Sequence, residues 1–168
     1  MRSISKSNNP LLALTWNVRM KLIGRLIEWS VPVLGAFFRP QPWPLTQAEM
    51  YYLPEGSLGK TMAQALDENG LELIPKYESH DAKHVLLNYP MNGLGEIRLQ
   101  FCQMGNSNRS LATIGIVLIG TFLLPECWEL FRQDWKRGKQ IQDLDDVDFG
   151  LCLRESVSDL RRRLRVQH

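Results

Sequence analysis

The chain predicts an all-α fold, a single compact multi-helix domain with an apolar central helix. Apolar residues recur at helical spacing along most of its length, strand-type alternation is almost absent, and capping residues and prolines cut it into helix-length pieces. With 168 residues, 44% of them hydrophobic, there is enough chain for one sizeable core. A formal net charge of +2, with charged residues at 23%, argues against a nucleic-acid face. Cys102, Cys127 and Cys152 lie far apart without a Cys-x-x-Cys spacing, so buried free thiols in a reducing compartment are expected rather than a disulfide framework.

Met1 to Asn9 is polar and predicted to be disordered. Residues 11–38 predict an amphipathic N-terminal helix. Leu11, Leu12, Leu14, Trp16, Val18, Met20, Leu22, Ile23, Leu26, Ile27 and Trp29 make its apolar face, Arg19, Lys21 and Arg25 are its charges, and no acid precedes Glu28. Three roles fit: a core helix, an interfacial helix on anionic lipid, or an organelle-targeting presequence. Val31-Pro32 and Arg39-Pro40-Gln41-Pro42-Trp43-Pro44 form a connector that cannot be helical. Thr46 with Glu49 reads as a capping box opening a short helix through Met50 or Tyr52.

Leu53-Pro54-Glu55-Gly56-Ser57 is a turn, with Ser57 capping a helix from Leu58 to Asn69 that Asn69-Gly70 ends. After Pro75 a helix is expected from about Lys76 to Asn88, and another from Gly95 to Met104, broken by Gly105-Asn106-Ser107-Asn108. Leu111 to Leu124 is apolar throughout, which predicts a buried central helix. At about 21 Å it falls short of a hydrocarbon core of roughly 30 Å. Its small residues Ala112, Gly115 and Gly120 suit close helix packing or room for a long flexible ligand. Pro125 opens a helix with Trp128, Leu130, Phe131 and Trp135 on its apolar side, and Gly138 loosens the chain. Asp143 to Asp148 lacks the glycine and terminal glutamate of a calcium loop, so a solvated loop capping the next helix is expected. The last helix, about Ser156 to Val166, turns Val157, Leu160 and Leu164 inward, with Arg161, Arg162, Arg163 and Arg165 at its negative end.

The chemistry concentrates in His80-Asp81-Ala82-Lys83-His84 and Asn92-Gly93-Leu94-Gly95-Glu96. Of three histidines, only the C-terminal His168 lies elsewhere. Four residues apart on a helix, His80 and His84 share a face, and Asp81 stands about 100° round from His80. Pro90 and Gly93 bar Glu96 from that helix, but a second helix starting near Leu94 can return it to the histidines. Two imidazoles with one or two carboxylates suit a divalent metal, zinc foremost, held by a pair of helices. The spacing is also zincin-like with aspartate for glutamate, and Asp81, one methylene shorter, reads as a ligand or as a group orienting an imidazole. The plain alternative is a half-exposed helix with incidental histidines.

His80-Asp81-x-x-His84, eleven residues and then Glu96, after Leu53-Pro54-Glu55-Gly56-Ser57-Leu58-Gly59, resembles the coenzyme Q biosynthesis protein four family. Trp135-Lys136-Arg137-Gly138-Lys139 is similar to that family's late segment, and the resemblance spans residues 51–165, as for a divergent bacterial member. Ala82-Lys83 departs from the bulkier residues expected inside the motif. The resemblance implies a metal held by His80, Asp81, His84 and Glu96. It further implies a peripheral membrane protein that binds a polyprenylated quinone precursor, as scaffold or presenter, or for oxidative replacement of the ring carboxyl by hydroxyl at the first ring carbon. The isoprenoid tail would lie along Leu111, Ile114, Gly115, Leu118, Ile119 and Phe122. Other quinone-biosynthesis enzymes, the membrane surface and a second copy are the implied partners. The expected location is cytoplasmic and membrane-peripheral, or the mitochondrial inner membrane in a eukaryote. A soluble zinc-dependent hydrolase and a non-catalytic prenyl-lipid carrier are the alternatives.

Overall fold

Side-chain caps start most of the helices in the computed structural model, which describes residues 15–26 and 43–167. Helix α1 covers residues 15–26, α2 Gln47–Met50, α3 Leu58–Glu68, α4 Glu78–Leu87, α5 Gly93–Gly105, α6 Leu111–Leu123, α7 Trp128–Gly138 and α8 Val157–Arg163. Thr46 and Glu49 close both arms of the capping box at α2. Ser57, Asn92, Ser110 and Ser156 each accept a main-chain N–H from the first turn of α3, α5, α6 and α8. The fold is all-α, and among the described residues one isolated bridge, Ser57 to Ser156, ties the turn before α3 to the start of α8.

Several boundaries move for local reasons. Lys76 has φ 79°, which no helix accommodates, so α4 begins at Glu78. Asn92 caps α5 earlier than its apolar pattern suggests. Arg165, with φ 58°, stops the last helix short of Val166. Gly70 takes the left-handed conformation at the end of α3. The N-terminal segment 1–9 and most of the 31–44 connector lie outside the described residues, as do Leu11, Leu12, Leu14, Ile27 and Trp29.

Among the described residues two apolar clusters form the core, and α5 contributes to both. The larger gathers Met50, Leu58, Met62 and Leu66 with Leu86, Leu87, Leu99, Cys102, Phe149 and Leu160. The smaller joins Ile23 of α1 to Ile97, Ile116, Leu124, Cys127 and Phe131. Helices α5 and α7 press closest at two glycines. A Cβ on Gly105 would stand 2.0 Å from the Trp135 carbonyl oxygen, and one on Gly138 1.9 Å from that of Cys102. Gly138 therefore serves helix packing rather than loosening the chain.

The apolar helix α6 is not central, and this corrects the expectation from its hydropathy. Only Thr113, Ile116, Val117 and Gly120 are buried, with Gly120 against Ile97, while Leu111 is 84% exposed, Leu118 51% and Phe122 78%. Nothing lies within 4 Å of a Cβ built on Gly115, so close packing there is ruled out. Trp128 is likewise exposed rather than core-facing, and the inward face of α7 carries Phe131, Asp134 and Gly138. The helical segment after Pro125 departs from α6 at 104°, and among the described residues no single helix is long and apolar enough to cross a membrane. Helix α1 has two aspects. Ile23 is buried and Arg19 pairs with Glu126 at 2.6 Å, whereas Val18, Leu22 and Leu26 face outward.

Basic residues end α4. Arg161 donates to the carbonyls of Leu86 and Val85, and Arg137 to that of Leu87. They satisfy main-chain oxygens that the end of a helix leaves unpaired. Arg161 thus serves the end of α4 rather than that of its own helix. The acidic loop does not cap α8, because Ser156 does; Asp145 instead pairs with Lys83 at 2.9 Å. All three cysteines are free and buried.

Candidate metal centre

His80 in the first turn of α4 and His84 one turn further on share a face, and Glu96 in the first turn of α5 faces them across the short Asn88–Asn92 connector. Glu96 Oε2 lies 2.9 Å from Nε2 of His80 and 2.9 Å from Nε2 of His84, with the two nitrogens 3.2 Å apart. Three donors thus converge on one point. His84 and Glu96 are buried and His80 is half-exposed, with 30% of its side chain open, so the centre has an inner wall and one outward side.

The fit to a cation can be checked against bond lengths. Metal–nitrogen and metal–oxygen bonds of about 2.0–2.2 Å put tetrahedral ligand atoms roughly 3.4 Å apart and octahedral neighbours roughly 3.0 Å apart. The observed 2.9, 2.9 and 3.2 Å need only a few tenths of an ångström of adjustment. Two imidazoles and one carboxylate are a donor set for zinc and for other divalent transition metals.

Electrostatics agrees with this pairing. Burial opposes charge on His80, yet the adjacent Glu96 carboxylate outweighs it and holds the imidazole above its ordinary value. Burial would likewise raise Glu96, but the imidazoles, His80 foremost, hold it well below the usual carboxylate range. Asp81 behaves oppositely, since burial pushes its carboxyl up to about 6 against the pull of both histidines. It lies outside the set of mutually close donor atoms formed by His80, His84 and Glu96.

Neighbours that spacing did not reveal orient these donors. Gln100 donates to the other oxygen of Glu96 at 2.8 Å, and the Thr113 hydroxyl of α6 is 2.8 Å from the Gln100 carbonyl oxygen. Gln100 follows Glu96 by one helical turn, a signal the sequence carries, while Thr113 meets it only through the tertiary fold. Lys83 turns away from the centre and donates to Gln103 and Asp145. Glu55 is exposed and pairs with Lys60 at 2.7 Å, and it is not among the three mutually close donors. The other singled-out residues, Leu111, Ile114, Gly115, Leu118, Ile119 and Phe122, form the exposed and half-buried stripe of α6.

Comparison with known proteins bears on these features. No curated protein matches the chain at a significant level. The fold is similar to the crystal structure of a candidate ubiquinone biosynthesis protein from Nostoc punctiforme, with a TM-score of 0.61 over 89% of this chain and 82% of that one. Sequence identity there is 20%, so this likeness speaks for the fold alone. A family model described as coenzyme Q (ubiquinone) biosynthesis protein Coq4 matches residues 73–168, more than half of the chain and all four motif residues. A chain so matched, with three motif side chains converging as donors, belongs to the Coq4 family of coenzyme Q biosynthesis proteins.

Proposed function

We propose that this protein binds a polyprenylated quinone precursor beside a divalent cation, zinc foremost, in coenzyme Q biosynthesis. The convergence of His80, His84 and Glu96 carries the proposal. His80, His84 and Glu96 hold the cation, and Asp81 swings in as a fourth donor. Gln100, backed by Thr113, fixes the Glu96 carboxylate so that one oxygen stays aimed at the imidazoles. When bound, the cation supplies Lewis-acid polarisation for a ring carboxylate, oxygen or water.

The open stripe of α6 suits the isoprenoid tail. Leu111, Leu118 and Phe122 are exposed, Ile114 and Ile119 are half-buried, and Gly115 leaves room beside them. Lys21 and Arg25 on exposed positions of α1 would meet anionic headgroups while Val18, Leu22 and Leu26 enter the interface. This is a peripheral membrane role, with the membrane surface, other enzymes of the pathway and a second copy as partners.

In its catalytic form the proposal has the ring carboxyl leave as carbon dioxide and one atom of molecular oxygen take its place as hydroxyl, the other atom leaving as water with two electrons and two protons from an external reductant. His84→Ala is then expected to abolish ring-product formation in a complementation assay while prenyl lipid still co-purifies. Unchanged product formation would contradict the catalytic form and leave presentation of the lipid as the role.

A further inference from the structure

We propose that Tyr89 is a positioning residue for the metal centre, its carbonyl holding the His84 proton on Nδ1 so that Nε2 faces the cation. This rests on the metal-centre reading given above. Asn88, at φ 57°, reverses the chain as α4 ends and returns Tyr89 over the last turn. There the Tyr89 N–H donates to the main-chain carbonyl of His84 at 3.0 Å, and the Tyr89 carbonyl accepts from His84 Nδ1 at 3.3 Å. One residue thus grips both the main chain and the ring of a metal-centre histidine.

The carbonyl has little freedom to swing. Tyr89 precedes Pro90, which confines its backbone to extended conformations. Pro90 in turn lies hard against α5, where a Cβ on Gly95 would stand 1.8 Å from its oxygen. Gly95 is the residue before Glu96, so the connector that aligns His84 is seated beside the carboxylate donor.

The side chain of Tyr89 anchors this arrangement to α7. It is buried, and its hydroxyl donates to Asp134 at 2.8 Å. Asp134 also accepts two bonds from Arg98, at 2.8 and 3.0 Å. The guanidinium groups of Arg98 and Arg137 lie 5.0 and 5.1 Å from the ring centre. Burial pushes the phenol well above its ordinary value, so it remains a donor. A buried carboxylate on α7 is linked in this way to an imidazole on α4. Metal-bound imidazoles commonly donate their second N–H to a carbonyl, and such outer partners change metal affinity about 10–100-fold.

The test is zinc binding by the full chain, measured against a chelating dye well below the melting temperature. Tyr89→Phe keeps the ring and removes only the hydroxyl anchor, and is expected to raise the zinc Kd about tenfold. In the zinc-loaded protein the His84 Nδ1 proton is expected as a slowly exchanging NMR resonance that Tyr89→Phe broadens by exchange. Asp134→Asn still accepts from the phenol and is expected to keep zinc affinity near the wild-type value, whatever its melting temperature. An unchanged Kd and an intact Nδ1 resonance in Tyr89→Phe would overturn the inference and leave the metal centre standing. Failure of the wild-type chain to take zinc would overturn both. If Tyr89→Phe does not fold, the wild-type spectrum decides, because a freely exchanging Nδ1 proton would overturn the inference.

Discussion

Asp81 has opposite consequences in the metal-free and metal-loaded protein. Burial raises its carboxyl to about 6, so ionisation costs more in the folded than in the unfolded state. Relative to the unfolded chain, the neutral acid stabilises at low pH, and that stability is lost as pH rises through about 6. Asp81→Asn is therefore expected to raise the melting temperature of chelated protein at about pH 7.5 and to leave it unchanged or lower at about pH 4. With zinc present the same substitution is expected to weaken binding about tenfold, since a donor is lost. Thermal melts with and without chelator read both signs. Protons compete at the neighbouring donors too. His80 is held above its ordinary value and must be neutral to bind, so zinc affinity should fall roughly tenfold per pH unit below that raised value. Calorimetric titration across this range checks the slope, and a flat profile would remove His80 from the ligands. Spacing put His80 and His84 on one helix face and let a second helix after Pro90-Gly93 return Glu96 to them, but incidental histidines fitted the same spacing, and the family resemblance named a ligand set that also included Asp81. Asp134 and Thr113 were not legible, since they reach the centre through contacts between separate helices, and Tyr89 was not, since it meets His84 only through the left-handed turn at Asn88.

Helix α6 shows what hydropathy alone cannot decide. A helix apolar on every face is consistent with a buried core position and equally with one open to lipid, and only its neighbours choose. Glycines on the two kinds of surface separate the cases. Gly115→Ala meets open space and is expected to be neutral or to stabilise by up to about 1 kcal/mol. Gly138→Ala drives a methyl into the Cys102 carbonyl and is expected to cost about 2 kcal/mol or more. Urea denaturation of the two variants reads the difference. If the α6 stripe carries the tail, Leu118→Glu with Phe122→Glu should keep the fold, because both side chains are already exposed, and lose most co-purifying lipid. The starts of α2, α3, α6 and α8 were legible from their capping residues, whereas the start of α4 and the end of α8 were not. Lys76 and Arg165 take left-handed backbone that their identity does not announce. The basic residues at the end of α4 come from α7 and α8, a pairing that no local pattern displays.

At the scale of the molecule, α5 joins two apolar clusters and brings Glu96 to the histidines of α4. The all-α class followed from periodicity and caps, whereas the division of the core followed from tertiary packing of α1 against α5 and α6. The proposed function joins a cation at His80, His84 and Glu96 to a prenyl lipid on the exposed stripe of α6. Mass spectrometry of protein purified without detergent tests it most directly, native for metal and after organic extraction for lipid. The account predicts one divalent cation per chain together with a prenyl lipid, the cation lost in His80→Ala/His84→Ala. Metal without lipid would contradict the quinone-precursor role and favour a hydrolase, and lipid without metal would return His80, His84 and Glu96 to a structural part.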